Sequence, residues 1–370
     1  MAGFPKHLYN KLAARETEFS LRTLRLPGDL IDFSSNDYLG FARNGAADES
    51  STAETPLQKG ATGSRLITGN HHWYTLAEEA IAQYHQVASA LIYNSGYDAN
   101  LGFFGCVPQR GDVVLFDELA HASIRDGIQL SAAKAYKFRH NDNGHLQELL
   151  GRFRDAADEI YVVTESVFSM DGDTPELEEM AALCRTFGAH LVVDEAHALG
   201  VFGGGLVRPD HEAFATIVTF GKALGAHGAA ILGSCDLRTY LINYSRSLIY
   251  TTALPPHSVA AIHAGYERLS KSESEVRGLH RNISYFQKHA REIHPGSVPE
   301  SHSAIQTVLV PGNRQAVSAA ETLRRAGLDV RAILSPTVPQ GKERLRICLH
   351  SFNTEEELKK LLTSLRDVFA

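Results

Sequence analysis

The sequence predicts an α/β fold, a three-layer α/β/α domain followed by a smaller α+β C-terminal domain. Three observations predict it. Apolar, β-branched runs alternate with amphipathic helical stretches through the middle of the 370-residue chain, as happens when helices cover both faces of a largely parallel sheet. After TTALPP (251–256) the pattern changes, because a double proline stops a regular element there. Hydrophobic residues make up 44% and are spread evenly, which suffices for a large core and argues against disorder.

Taken in order, residues 1–30 read as a helix followed by a short hairpin arm. The strands of the main sheet are expected at 90–93, 112–117, 160–165, 190–194, 216–219 and 229–234. Beyond the prolines come a helical stretch, the strand AIQTVLVPG (304–312), a helix through 316–326, the strands LDVRAI (328–333) and RLRICLH (344–350), and a last helix. That helix opens on Thr354 with Glu357 three residues on, a capping-box signature. The organisation expected is an N-terminal helix and arm (1–35), a large domain (36–256) and a small domain (257–370).

Composition narrows the function. Acidic residues outnumber basic ones 43 to 36, for a formal net charge of -7, and no long basic run exists to form a nucleic-acid groove. A local phosphate or CoA site needs only a few Arg or Lys and stays open. The cysteines, Cys106, Cys184, Cys235 and Cys348, are far apart with no CxxC. A disulfide framework and a metal site are not expected, and a reducing cytoplasm is. The first residues, MAGFPKHLYNKLAARETEF, lack the apolar run of a signal peptide, and no stretch reaches bilayer-spanning length, so no membrane partner is expected.

The run LVVDEAHALGVFGG (191–204) poses the functional question, since an apolar strand ends abruptly in Asp, Glu and His. DEAH after a strand is also how some helicases hold Mg²⁺. A nucleotide motor needs GxxxxGK[ST], however, and Gly221-Lys222 is followed by Ala223 while Gly341-Lys342 is followed by Glu343, so no phosphate loop of that type exists. A dinucleotide site fails too, because the strand ALIY leads into NSGYDAN (94–100) and not GxGxxG.

The other reading starts from single residues, each with an ordinary alternative. Asp194 ends its strand, where a buried carboxylate needs a cationic partner; such a residue also caps helices or pairs with an Arg. Lys222 lies among glycines in TFGKALGAHGAA (219–230) just after an apolar strand, where a dry pocket favours a neutral, nucleophilic amine; a loop Lys is otherwise solvent-exposed. His197 sits three residues after Asp194. His121, in DELAHAS (117–123), and Ser169, in ESVFSMDGD (165–173), each follow another strand end, where ligands collect in open α/β sheets. Ser95-Gly96-Tyr97 opens a helix whose N–H groups suit a dianion, and Thr219 can add a hydroxyl. A lysine amine, a carboxylate for a ring nitrogen, an imidazole to stack and a phosphate cup are together what pyridoxal phosphate requires.

These motifs resemble those of the α-oxoamine synthases, pyridoxal-phosphate (PLP)-dependent enzymes of fold type I, the aspartate-aminotransferase-like fold. The matching stretches run in family order: FSSNDYLG (33–40), GATGSRLITGN (60–70), NSGYDAN, DELAHAS, FRHND (138–142), ESVFSMDGD, VVDEAHALGVFG (192–203), TFGKALGAHGAA, IYTTALPP (249–256) and SPTVPQGKERLRI (335–347). The resemblance implies that Lys222 forms the Schiff base, Asp194 partners the pyridine nitrogen, His197 and Ser169 reach the phenolic oxygen, and His121 stacks on the ring. It implies phosphate contacts from Gly96, Tyr97 and Thr219, with Thr252 reaching over from the other subunit of a homodimer. It gives Arg346 the amino-acid carboxylate and sets Asn36 and Ser64 near the substrate entrance. The implied reaction is a decarboxylating condensation of an amino acid with an acyl thioester, carried by CoA or acyl carrier protein. Within the family the stretches most resemble the branch that joins L-alanine to a pimeloyl thioester; the glycine- and serine-using branches are the alternatives. One departure is Leu334, which stands where some members of that branch carry an Arg for the acyl carboxylate. Arg22, Arg25 or Arg331 then takes that role, or the carboxylate arrives esterified.

Overall fold

A computed structural model describes residues 3–24, 26, 28–43, 58–293 and 296–369. The chain divides into two compact units, a larger one of Asp37–Ser169 and Thr174–Val276 and a smaller one of Met1–Asn36, Met170–Asp173 and Arg277–Ala370.

In chain order, α1 (Lys6–Thr17) and β1 (Ile31–Asp32) begin the smaller unit. In the larger unit a π-helical turn (Arg65–Gly69) leads to α2 (His72–Tyr84), β2 (Ser89–Tyr93), α3 (Gly96–Phe104), β3 (Val113–Asp117), α4 (Ala122–Leu130), β4 (Lys134–Phe138) and α5 (Asn143–Phe153). Next come β5 (Ile160–Glu165), α6 (Leu177–Phe187), β6 (His190–Asp194), β7 (Ala215–Thr219), β8 (Ala229–Gly233), α7 (Cys235–Tyr244), α8 (Arg246–Ile249) and α9 (Pro256–Leu269). The chain ends with α10 (Glu273–Ile293), β9 (Ile305–Leu309), α11 (Asn313–Arg325), β10 (Leu328–Asp329), β11 (Arg331–Ile333), β12 (Arg344–Cys348) and α12 (Glu355–Phe369). Among the described residues no helix is long and apolar enough to cross a membrane.

The larger unit is built on a seven-stranded sheet of order β2-β8-β7-β6-β5-β3-β4. All neighbours are parallel except β8, which runs antiparallel to β2 and β7. Helices cover both faces, so strand residues are buried whichever way they point. Val162 of β5 enters the cluster of Leu115, Leu146, Leu150 and Met180, and its neighbour Val163 enters that of Phe103, Phe104, Ile124 and Ile217. This is the three-layer arrangement, with two-sided burial explaining the unbroken apolar runs. β3 has β4 on one side and β5 on the other, so the chain reverses its direction of travel across the sheet there. Such a switch point opens a crevice at the strand C-termini.

All six strand expectations of the main sheet fall within one residue of the observed bounds, and β5 and β6 match at both ends. β4 went unpredicted because KAYKF carries no apolar run: it is an edge strand with Lys134 and Lys137 exposed, and charge on an edge discourages further pairing. The hairpin arm is also absent, since the described residues between 18 and 30 form no strand. Instead β1 pairs in parallel with β10, which places the first 36 residues with the C-terminal part. LDVRAI is two strands, because β10 pairs with β1 while β11 pairs with β12. The units part at Val276 and not after residue 256. The reason is α9, which starts with Pro256 at its first turn, where a missing N–H costs nothing, and buries Val259, Ile262 and Tyr266 within the larger unit.

The smaller unit holds the antiparallel sheet β11-β12-β9 with α11 and α12. The capping box at α12 forms as its spacing predicts: Thr354 N donates to Glu357 Oε2 at 2.9 Å and Glu357 N to Thr354 Oγ1 at 3.2 Å.

Candidate active site

Three neighbouring parallel strands, β3, β5 and β6, each end in an acid: Asp117, Glu165 and Asp194. All three are buried, at 0%, 3% and 6% exposure, and Glu165 lies in register opposite Asp194. Asp194 Oδ1 accepts the Ala196 N–H at 2.9 Å, and Oδ2 accepts the Asn100 amide at 2.8 Å. The same amide nitrogen donates to Ser123 Oγ at 3.0 Å, which lies 2.8 Å from His121 Nδ1. A continuous hydrogen-bonded path therefore joins Asp194 to His121. The peptide N–H of His121 donates to Glu165 Oε1 at 2.6 Å.

Lys222 follows β7 in a turn closed by the Gly225 N–H donating to Lys222 O at 2.9 Å. Gly225 has φ +65, and a Cβ there would stand 2.4 Å from Ala42 N, so only glycine lets the turn close against the backbone. Burial lowers the pKa of His121, with Asp194 opposing and Lys222 reinforcing the shift. Burial and then Asp194 push Glu165 up to about 8, while Lys222 pulls it down. The charges of Asp194 and Lys222 thus both act on His121 and on Glu165. His197 is buried, with its Nδ1 2.7 Å from the hydroxyl of buried Tyr38. A phenol donating to Nδ1 leaves the imidazole proton on Nε2.

The helix start and strand end expected to form the phosphate cup lie side by side. α3 begins at Gly96 with Ser95 at its N-cap, the Ser95 Oγ accepting the Asp98 N–H at 3.1 Å. A Cβ on Gly96 would lie 3.5 Å from Thr219 Cβ and Oγ1, so the helix start and the end of β7 face each other. Thr219 Oγ1 donates to Gly228 O at 3.2 Å. The Tyr97 side chain is half-exposed and bonds to Asp126, leaving only its N–H for the cup. Ser169 is half-buried in the turn after β5, and Ser64 precedes the π-helical turn. Thr252 is exposed, its carbonyl accepting from Asn94 Nδ2 at 2.8 Å.

In the smaller unit, Arg346 Nη2 donates to Asn36 Oδ1 at 3.1 Å, so these two predicted substrate residues meet. Arg22 is exposed and bonds to Thr337 Oγ1 at 3.3 Å. Arg331 is paired to Asp329 at 3.0 Å, and Arg25 lies outside the described residues.

Four residues with a place in this geometry were not singled out from sequence: Tyr38, Asn100, Ser123 and Glu165. Each stands inside one of the motifs, but a motif shows no contact, and apart from Ser123 beside His121 the partners lie from 23 to 159 positions away in the chain.

The donor set can be tested against a cofactor. Asp194 is a buried carboxylate with an amide and a peptide N–H as partners and no ion pair among the described residues, so a protonated ring nitrogen would complete it. The Gly96–Thr219 cleft suits a phosphate at a helix N-terminus, and Lys222 supplies an amine. These residues fit pyridoxal phosphate. Comparison with known proteins agrees. The model of the family described as aminotransferase class I and II matches residues 28–365. The chain is 38% identical over 387 residues to the 8-amino-7-oxononanoate synthase of Emericella nidulans, covering 97% of this chain and 94% of that one. This chain belongs to the class I and II aminotransferase family, in its α-oxoamine synthase branch. Among solved members, serine palmitoyltransferase of S. paucimobilis, solved with a PLP–myriocin adduct, superposes with a TM-score of 0.88 at 25% identity, covering 98% of this chain and 96% of that one. The 8-amino-7-oxononanoate synthase of Francisella tularensis superposes with a TM-score of 0.77 at 26% identity, covering 91% and 97%. Like them, the chain is a fold-type I, PLP-dependent transferase.

Proposed function

We propose that this α-oxoamine synthase condenses L-alanine with a pimeloyl thioester of CoA or acyl carrier protein, giving 8-amino-7-oxononanoate, the free carrier and CO₂, a step of biotin biosynthesis. The observation that carries the chemistry is the hydrogen-bonded path from buried Asp194 through Asn100 and Ser123 to His121; identity to synthases of that name carries the substrates.

Pyridoxal phosphate, when bound, supplies an electron sink for charge developing at the substrate α-carbon. The rest falls to the chain. Asp194, fixed by Asn100 and Ala196, holds a proton on the ring nitrogen through a charge-assisted hydrogen bond. Gly96 and Tyr97 N–H groups and Thr219 Oγ1 hold the phosphate, and Thr252 of a second copy completes the cup in a homodimer. Exposed Leu66, Ile67 and Tyr250, at 51%, 79% and 72%, support apolar contact with that copy. His197 donates Nε2–H to the phenolic oxygen beside Ser169. His121 has Nδ1 engaged by Ser123, which leaves Nε2 for the reacting face. Arg346 takes the amino-acid carboxylate in a two-pronged grip, with Asn36 and Ser64 at the entrance and Arg22 toward the acyl carboxylate, since Arg331 is occupied by Asp329. Lys222 removes the α-proton as general base. Four cysteines, none in a disulfide among the described residues, support a cytoplasmic setting.

The test combines colour and turnover. Purified protein with PLP should show a visible absorbance band that borohydride bleaches, and Lys222→Ala should abolish both the band and turnover. A colourless wild type would overturn the proposal. In a panel of alanine, glycine and serine against short, long and ω-carboxylated thioesters, alanine with the pimeloyl thioester should lead. Faster turnover of serine with palmitoyl-CoA would move the chain to the serine-using branch.

A further inference from the structure

Glu165 has no part in the chemistry above, yet it is the middle member of the acidic row. Its strand, β5, lies between β3, which ends in Asp117, and β6, which ends in Asp194. The outer two acids have partners suited to a negative charge. Asp117 is held by His140, and Asp194 is placed for the cofactor's ring nitrogen. Among the described residues the Glu165 carboxyl makes one hydrogen bond, the 2.6 Å bond accepted from the peptide N–H of His121. Three buried like charges on adjacent strands cannot all be ionised without large mutual repulsion.

We propose that Glu165 is a positioning residue: a neutral carboxylic acid that fixes the backbone of His121 at its stacking position while leaving Asp194 as the single anion serving the cofactor. Its place on a rigid central strand suits that task, because a group on a strand holds a neighbouring turn more tightly than one on a loop. The hydrogen bond falls on the peptide of His121, whose Nδ1 is already fixed through Ser123. Main chain and side chain of the same residue are thus pinned from two different elements. The charges acting on Glu165 are Asp194 and Asp117, which favour its protonated form, and Lys222, which opposes it; the N–H of His121 also favours the ionised form. Burial is the largest influence and sides with the protonated form. The inference rests on the reading of His121 as the ring-stacking residue.

The experiment compares wild type, Glu165→Gln and Glu165→Ala as PLP-loaded enzymes, reading PLP dissociation, the pH midpoint of the visible absorbance, and kcat against KM. Gln keeps an acceptor for the His121 N–H and is neutral, so Glu165→Gln should stay within about threefold of wild type in PLP affinity and kcat, with an unmoved midpoint. Glu165→Ala should lose about tenfold or more in kcat with little change in KM, because the substrate-binding residues are untouched. Ala matching wild type would overturn the positioning role. Gln as damaged as Ala, with a midpoint displaced by about one pH unit, would show that the native group is charged and overturn its neutrality. If the Ala variant does not fold, the Gln midpoint decides alone: unmoved supports the proposal, and displaced sinks it. A wild type that binds no PLP would instead refute the reading of the site, an outcome distinct from all of these.

Discussion

Asp117 and Asp194 are the same residue type at the same kind of position, the buried C-terminal end of a central parallel strand, yet the chain treats them differently. Asp117 is closed. Its oxygens accept the Leu119 N–H at 2.8 Å and the Asn141 N–H at 2.9 Å, and His140 Nδ1 lies 2.9 and 3.1 Å from the two of them. Asp194 has one amide and one peptide N–H. Backbone and an imidazole complete the first, so its worth lies in stability. The second is held in place but left without an ion-pair partner among the described residues, so its worth lies in what it can bind. A buried charge costs free energy unless it is paired, and a chain keeps an unpaired one only where a ligand brings the partner.

The largest effect should separate the two on activity. Asp194→Asn keeps the shape and an acceptor oxygen but removes the charge. Turnover should fall by on the order of 10³-fold with weakened PLP binding. The apoprotein should melt close to wild type, because removing the buried charge offsets the one N–H that loses its acceptor. Steady-state kinetics and thermal melts without PLP measure both. Asp117→Ala should do the reverse. It orphans two N–H groups and an imidazole, and should cost about 3–5 kcal/mol in urea unfolding, while kcat per folded molecule changes by less than about tenfold. If Asp194→Asn proved the unstable variant and Asp117→Ala merely inactive, the contrast drawn here would be inverted.

The contrast also explains what the sequence makes legible. Strand positions are readable because two-sided burial demands unbroken apolar runs, as in IYVVTE of β5, and they fail where that demand lapses, as in the exposed edge strand β4. Asp194, Lys222 and His121 are readable as residue types at strand ends, because chemistry restricts which side chains can serve a ring nitrogen, a Schiff base and a stacked face. Their supports are not. Asn100 braces Asp194 from 94 positions away and Tyr38 braces His197 from 159; many residue types could brace, so identity alone marks none. The same holds for the boundary between units, set by the packing of α9 and the pairing of β1 with β10 and not by the double proline.

A third group, half-buried His85, sharpens the comparison from the stability side. His85 is closed like Asp117, but in its neutral form: its Nε2 lies 2.9 Å from the hydroxyl of buried Tyr266. Burial pushes its pKa from an ordinary 6.5 down to about 4. Between those two values the unfolded chain takes up a proton that the folded chain refuses, so stability is full above pH 6.5 and falls as the pH drops toward 4. The whole loss from this residue is about 3 kcal/mol. His85→Gln keeps a polar partner for Tyr266 and does not titrate, so urea midpoints at pH 7 and pH 4.5 should show a shallower acid loss in the variant, while activity at pH 7 is unchanged. Equal losses in the two proteins would mean that His85 protonates without cost in the folded state. In that case closure by a hydrogen bond would not keep a half-buried group out of the acid response, and the division between closed and open sites would fail for imidazoles.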